Sequence, residues 1–180
     1  MSKEKSVTIS LRITDLAYKA LQDESKKMNV SLNTLANQIF LSFATYDRYL
    51  SRFGMVKVAI PTLRRIISAG TDAEIVEAGK YAGKSLPQSF ILNMRGKLTL
   101  ESVVEYLMIM GKYANMFDYS TTPQGGRTTI TLAHDLGEKG SLFLENYVQG
   151  MFEQVGEKVK VLRYPDSITI EVPEGHRPAD

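Results

Sequence analysis

Seven residues near the N-terminus constrain the fold of this 180-residue chain more than any other stretch. Apolar and polar side chains alternate along them: Val7, Ile9, Leu11 and Ile13 are apolar, and Thr8, Ser10 and Arg12 are polar. Because successive side chains of a strand point to opposite faces, this period predicts a strand with one apolar and one polar face. A lone two-faced strand is unstable, and no second strand pattern follows for roughly the next forty residues. The sequence therefore predicts that the partner strand comes from another chain.

Two helices are predicted directly after this strand. Thr14 is a suitable N-cap for the first, which runs to about Met28, and Ser31 is a suitable N-cap for the second. The second helix is predicted to persist to Tyr49 or Phe53 and to end at Gly54. Its apolar stripe is formed by Leu32, Leu35, Ala36, Ile39, Phe40, Phe43 and Ala44. That stripe is broad enough to contact both the first helix and another subunit.

Composition narrows the class of protein. The chain has no cysteine and two histidines, which argues against disulfides and metal sites, and it has no apolar run long enough for a transmembrane helix. Its charged first residues fit no signal peptide, so we expect a soluble, cytoplasmic protein. Residues 1–60 hold nine basic and five acidic residues (+4), whereas residues 61–180 hold thirteen and fifteen (−2). A basic front and an acidic remainder suit a small nucleic-acid-binding module joined to a second domain.

Residues 6–48 resemble the ribbon-helix-helix (MetJ/Arc/CopG-like) DNA-binding family. The resemblance rests on the strand Val7–Thr14, on the helix spacing and on Asn29-Val30-Ser31 at the inter-helix turn. It implies that strands of two subunits pair antiparallel into a ribbon that enters the major groove. Where the family commonly has Gly in the turn, this chain has Asn29, which tolerates the same backbone geometry.

The resemblance also implies functional positions. Thr8, Ser10 and Arg12 would face the bases. The start of the second helix would sit on a DNA phosphate, which implicates Ser31, Asn33 and Thr34. The dimer core would be formed by Val7, Ile9, Leu11, Ile13, Leu35 and Ile39.

Physical chemistry supports the DNA interpretation independently. Arg can bond two guanine acceptors at once, for about 1–3 kcal/mol of discrimination, and helix-start N–H groups bind phosphate. Lys3 and Lys5 could contact phosphates as an N-terminal arm. The alternative is an ordinary sheet strand with Arg12 as a solvated charge. The terminal position and the two capped helices favour DNA recognition.

The remaining two thirds are predicted to be α+β. Thr71 begins a helix to about Lys84, the chain restarts at Leu86-Pro87, and Thr99 begins a helix to about Met116. Two hairpins follow, one turning at Pro123-Gln124-Gly125-Gly126 and one at Pro165-Asp166, with a helix from about Ser141 to Gln154 between them.

Residues 100–173 faintly resemble the small-molecule-binding superfamily of vinyl-reductase-type and haem-nitric-oxide-sensor-related domains. The resemblance rests on the segment from His134 to Ser141. The same residues also resemble C-terminal domains that are attached to such DNA-binding modules in archaeal proteins. The metal chemistry of vinyl-reductase-type domains is not transferred, because its cysteines are missing here. His134 is interpreted as a hydrogen-bonding residue at a strand-to-helix corner. A cluster of methionines and one tyrosine is interpreted as core or interface, with a ligand pocket left open: Met108, Met110, Tyr113 and Met116.

We therefore predict an α+β protein with a ribbon-helix-helix domain at 1–53 and an α+β sensing or oligomerisation domain at 54–180. The expected function is sequence-specific DNA binding in transcription regulation, by a homodimer or higher even oligomer that reads double-stranded DNA with its ribbon. We expect no catalytic residue, metal, cofactor or membrane partner, and a small-molecule effector is left open. The alternatives are an antitoxin-like module that binds a protein, and a small-molecule-binding domain dimerised by its N-terminus.

Overall fold

The computed structural model describes residues 6–173, except for the side chains of Ser51 and Gln124. The chain divides into two compact units, residues 1–45 and residues 46–180. The boundary expected after residue 53 stays a prediction. No helix within residues 6–173 has the length and apolarity needed to cross a membrane.

The first unit contains two helices, α1 (Asp15–Lys27) and α2 (Leu32–Ser42). They are joined by a short turn in which Asn29 adopts a left-handed conformation with φ of 53°. The Val30 N–H closes this turn by donating to the Ser25 carbonyl at 3.0 Å. Asn29 therefore adopts the left-handed conformation that glycine commonly adopts in such turns, because Asn tolerates positive φ better than most residues.

Helical structure continues beyond α2 to Phe53, as the sequence predicts. A π-helical segment (Phe43–Asp47), α3 (Arg48–Leu50) and a 3-10 turn (Ser51–Phe53) follow one another. Gly54, at φ 62°, ends this run. Glycine is suited to this stop because a left-handed C-terminal residue costs it no side-chain clash.

The prediction of an N-terminal ribbon is wrong. Residues 7–13 form neither a strand nor a helix, and the sheet of the described residues is C-terminal. A strand forms only with a hydrogen-bonding partner, and the described part of the chain offers this segment none. The α+β class holds, but its β part lies entirely in the second unit.

The second unit combines helices with one antiparallel sheet. Its helices are α4 (Ile60–Ala69), α5 (Asp72–Arg95), α6 (Leu100–Ile109), a π-helical extension (Met110–Ala114) and α7 (Gly137–Glu153). Its strands are β1 (Asp118–Gln124), β2 (Arg127–Ala133), β3 (Lys160–Tyr164) and β4 (Ser167–Pro173), in the order β1-β2-β4-β3. Both predicted hairpins are confirmed. Gly125 and Gly126, with φ of 56° and 78°, form the first turn, as a tight hairpin requires.

The core lies between one face of this sheet and the helices. Alternate residues of β2 and β4 are buried, and they join a buried set from α5, α6 and α7. The largest fully buried side chains include Tyr106, Phe90 and Phe152. The Tyr106 and Tyr147 hydroxyls are 2.8 Å apart, so these two buried polar groups satisfy each other. Burial raises the pKa of both tyrosines well above the usual value, which keeps both hydroxyls protonated.

The predicted break at Leu86-Pro87 is wrong, because α5 runs unbroken through Pro87. A proline inside a helix removes one backbone hydrogen bond and disfavours the preceding turn. Here Pro87 is buried, and the next turn places Phe90 and Ile91 in the core with 1% and 0% exposure. Burial of this turn outweighs the lost hydrogen bond.

Two buried glycines set the contact between α5 and α7. A Cβ on Gly79 would lie 2.6 Å from the Phe143 carbonyl oxygen, and one on Gly83 would lie 2.1 Å from the Tyr147 carbonyl oxygen. Both distances are too short for real atoms, so the two backbones touch where no side chain intervenes.

We expect Gly83→Ala to lower the free energy of unfolding by about 3 kcal/mol, because the added methyl group forces the helices apart. Urea unfolding measures this. Ser85→Ala, at an exposed position of the same helix, is the control and should change stability by less than about 0.5 kcal/mol. Equal effects of the two substitutions would contradict the close helix contact.

His134 fixes the corner between β2 and α7, as predicted. Its Nδ1 accepts from the Leu136 N–H at 3.1 Å, so the ring proton is on Nε2. Nε2 lies 3.0 Å from Ser141 Oγ, and Ser141 Oγ donates to the Pro165 carbonyl at 3.1 Å. The imidazole thus connects the start of α7 to the turn between β3 and β4.

Burial lowers the pKa of His134, although the carboxylates of Asp166 and Asp135 act in the opposite direction. When the pKa of a group is lower in the folded state than in the unfolded chain, the unfolded chain binds the proton first as the pH falls. The stability it contributes is therefore complete above the unfolded pKa of about 6.5 and is lost as pH falls below that value. We expect the free energy of unfolding to decrease from pH 7 to pH 5, with a slope of at most about 1.4 kcal/mol per pH unit from this group.

His134→Asn tests this assignment, since Asn can still accept the Leu136 N–H but does not titrate in this range. The variant should show a shallower pH dependence of the unfolding free energy. His176→Asn, which removes the other histidine, should retain the wild-type slope. An unchanged slope in His134→Asn would refute the role of His134.

Candidate nucleic-acid interface

The N-terminal segment, residues 7–13, exposes both of its faces. The four apolar side chains are 78%, 59%, 61% and 46% exposed at Val7, Ile9, Leu11 and Ile13. The three polar ones, Thr8, Ser10 and Arg12, are exposed as well. Isolated surface apolar residues are common, but a regular row of four is unusual and indicates an interaction surface.

Arg12 is the only charged residue between Ser6 and Thr14. Within residues 6–173 its guanidinium has no carboxylate partner, so its five N–H donors are available. The nearest charges along the chain, Asp15 and Lys19, pair with each other at 2.7 Å on exposed positions of α1. The segment therefore presents one cation, Arg12, that has no ion-pair partner among the described residues. It follows the hydroxyl-bearing Thr8 and Ser10 and precedes α1.

Side-chain hydrogen bonds start both helices of this unit. Thr14 Oγ1 accepts from the Ala17 N–H at 3.3 Å at the start of α1. Ser31 Oγ accepts from the Thr34 N–H at 3.0 Å at the start of α2 and lies 2.8 Å from Thr34 Oγ1. Both serve as N-caps because each has an extended backbone and a hydroxyl within reach of the third helical N–H.

The start of α2 is open to an external acceptor. The first N–H groups of a helix have no intrahelical partner. Ser31 satisfies that of Thr34, which leaves those of Leu32 and Asn33 as donors within the described part of the chain. Ser31, Asn33 and Thr34 are all exposed. A helix start with free N–H groups and a positive dipole end favours an anion.

The structure brings together only part of the site that the sequence predicts. No hydrogen bond or ion pair among residues 6–173 joins the N-terminal segment to the start of α2. Lys3 and Lys5 lie outside the described residues. Of the two α2 residues assigned to the dimer core, Leu35 is already buried in the single chain, at 6% exposure, whereas Ile39 is 45% exposed.

Leu16 also belongs to this exposed surface, although the sequence pattern did not predict it. It is 81% exposed in the first turn of α1, immediately after the apolar row. Its signal was its position: it lies outside the helical stripe through Ala17, Tyr18 and Leu21, so nothing within α1 requires it to be apolar. Further exposed apolar side chains occur on or just after α2, namely Ile39, Phe40, Leu41 and Phe43.

Metal binding has no structural support in the described residues. Among residues 6–173, no three His, Cys, Asp or Glu side chains are grouped so that they could hold an ion.

No protein-family model matches this chain, and comparison with curated proteins finds no similar protein.

Loss of the Ser31 cap should loosen α2. We expect Ser31→Ala to destabilise this helix by about 1 kcal/mol and to accelerate amide hydrogen exchange in α2 roughly fivefold. Ser6→Ala is the matched control, because Ser6 is exposed and precedes no helix. If both variants exchange at the wild-type rate, the hydroxyl does not hold the helix start.

Proposed function

We propose that this chain is a sequence-specific DNA-binding transcription regulator that acts as a homodimer in the cytoplasm. The observation that carries the proposal is the N-terminal segment: Thr8, Ser10 and Arg12 alternate with apolar residues along an exposed stretch that has no partner strand among residues 6–173. The open start of α2 supports it, because it offers a second type of contact to the same ligand.

The polar side chains of the segment match the chemistry of base edges. The B-DNA major groove is about 12 Å wide and displays a distinct pattern of donors and acceptors for each base pair. Arg12 can donate twice to one guanine, which gives selectivity. Thr8 and Ser10 can donate or accept, so they adapt to several bases with less selectivity.

The start of α2 matches a phosphate. The N–H groups of Leu32 and Asn33 and the exposed hydroxyl of Thr34 are hydrogen-bond donors, and the helix dipole adds a positive potential. Contacts of this kind orient a protein on DNA without reading its sequence. The two sets of groups therefore have separate roles in binding.

The dimer follows from the apolar side of the N-terminal segment. Four exposed apolar side chains in a row need a cover, and a second copy of the chain supplies an identical row. A symmetric pair uses the same patch on both subunits. Two copies of the base-reading side chains then require an operator with two half-sites.

Arg12→Ala should remove sequence preference without removing binding. We expect the affinity for the selected operator to fall about 5- to 150-fold, which corresponds to about 1–3 kcal/mol for one bidentate base contact. Affinity for random DNA should fall much less. Selection from a random duplex pool followed by fluorescence anisotropy measures both affinities, and light scattering confirms an unchanged dimer.

Lys19→Ala is the matched control, because it also removes one exposed cation from the first unit. It should leave the operator preference intact. The same loss of preference in both variants would show that net charge, rather than a base contact of Arg12, determines selectivity.

A salt titration tests the phosphate contacts. The logarithm of the affinity for random duplex DNA should fall linearly with the logarithm of salt concentration, with a slope of about −0.9 per neutralised phosphate. Removing both Lys3 and Lys5 should make this slope less steep. Absence of measurable binding at low salt would reject the DNA-binding proposal as a whole.

A further inference from the structure

Positive charge is concentrated at the start of the second unit. Between Asp47 and Asp72 the sequence contains five basic residues and no Asp or Glu, which gives a net charge of +5. Residues 72–173 contain ten basic and thirteen acidic residues, a net charge of −3. We call residues 48–65 the basic segment, and its cations are Arg48, Arg52, Lys57, Arg64 and Arg65.

The cations of the basic segment are exposed and not neutralised. All five side chains are exposed. None of them forms an ion pair with a carboxylate among residues 6–173, whereas Arg95, Arg127 and Arg163 each pair with a glutamate. An arginine without a carboxylate partner keeps N–H donors for an external acceptor. The segment is therefore suited to a partner that carries several negative charges.

Two of its arginines are held beside one buried ring. The guanidinium carbons of Arg48 and Arg52 lie 4.7 Å and 5.9 Å from the centroid of the Tyr49 ring. Tyr49 is 3% exposed, and its ring packs on that of Phe90 with centroids 5.0 Å apart, so the core fixes its position. Like charges four residues apart on helical backbone repel each other. An anion bound at both guanidinium groups would relieve this repulsion.

Arg64 is positioned by the start of α7. Its Nη1 donates to the Asp135 carbonyl oxygen at 3.4 Å, and a Cβ on Gly137 would lie 3.3 Å from its Nη2. The acceptor is a backbone carbonyl, so the positive charge of Arg64 is not cancelled. Side chains that are already positioned lose less conformational freedom on binding, which favours affinity.

The chemistry of the segment favours a phosphate backbone over a membrane surface. Four of its five cations are arginines, whose planar fork of N–H donors matches phosphate oxygens. An amphipathic helix binds a bilayer through an exposed apolar face. The apolar face of α4 is directed to the core, since Ile67 is 8% exposed and Leu63 packs against the buried cluster. Ile66 is the one large aliphatic side chain that is exposed on this helix.

From these contacts and charges we infer that the basic segment is a second DNA-contacting surface, at which arginines of the second unit bind phosphates of the DNA backbone. Such contacts add affinity and salt dependence but do not read the sequence. The inference rests on the proposed function, because it assigns the same ligand to another part of the chain. It separates the roles of the two units: base reading belongs to the first, and the second adds phosphate contacts.

The test is a salt titration of the full chain on random duplex DNA, with two double variants. These are Arg48→Gln with Arg52→Gln, and Arg64→Gln with Arg65→Gln. Each pair should make the slope of log affinity against log salt concentration less steep by about 1 to 2, since each neutralised phosphate contributes about 0.9. The ratio of operator affinity to random-DNA affinity should change less than twofold. If the first pair fails to fold, the second pair, on the exposed face of α4, decides the question.

The matched control is Lys97→Gln with Lys158→Gln. Both lysines are exposed, lie outside the basic segment and form no ion pair within the described residues. This variant loses the same net charge and should retain the wild-type slope. An equal reduction in the control would attribute the effect to net charge and overturn the inference. So would an unchanged slope in folded arginine variants.

A second assay addresses the other polyanion. Sedimentation with phosphatidylserine vesicles should give the same weak binding for the wild-type chain and for both arginine variants. Strong vesicle binding that the variants lose, together with an unchanged DNA slope, would assign the segment to membranes and overturn the inference.

The outcomes also distinguish this inference from the proposed function. If the wild-type chain binds no DNA at low salt, both fall together. If it binds DNA with an operator preference that depends on Arg12, while the arginine variants keep the wild-type slope, the proposed function stands and only the role of the basic segment is refuted.

Discussion

The backbones of α5 and α7 touch at Gly79 and Gly83, and the core of the second unit depends on that contact. Gly150 on α7 makes the reciprocal approach, since a Cβ there would lie 3.1 Å from the Lys80 carbonyl oxygen. Helices at this distance bury their facing surfaces with no room for larger side chains. The close approach brings Tyr147 into the interior, where its hydroxyl meets that of Tyr106 on α6.

The sheet of this unit is tied to the helices at one corner. His134 ends β2, bonds the backbone at the start of α7 through one nitrogen and meets Ser141 through the other. Asp166 adds a second connection at the same corner, because its Oδ1 accepts from the Gly137 N–H at 3.1 Å.

The first unit is stabilised differently, through local hydrogen bonds and a small buried set. Ser25 and Leu35 are its buried residues among those described, and side-chain caps start both helices. Its largest apolar surface faces outward, along residues 7–13 and on α2. A unit with this much exposed apolar surface is suited to association, which is the physical basis for assigning a second copy to it.

Features that depend on neighbours in the chain could be predicted from the sequence alone. The caps at Thr14, Ser31, Thr71 and Thr99 need only a hydroxyl three residues before a helical N–H, and the Gly125-Gly126 turn needs only two residues that accept positive φ. The alternation along residues 7–13 is likewise a local property, and both of its faces remain exposed.

Features that depend on distant residues were decided by the tertiary structure. Pro87 stays inside α5 because the core buries the turn that follows it, and the glycines face α7 because only they allow the backbones to touch. His134 is connected to the turn between β3 and β4 only through Ser141, whose Oγ donates to the carbonyl of the distant Pro165. A periodic pattern gives the faces of an element but not the surface that each face meets. For this reason the sequence could describe the N-terminal segment, yet could not supply it with a strand partner within one chain.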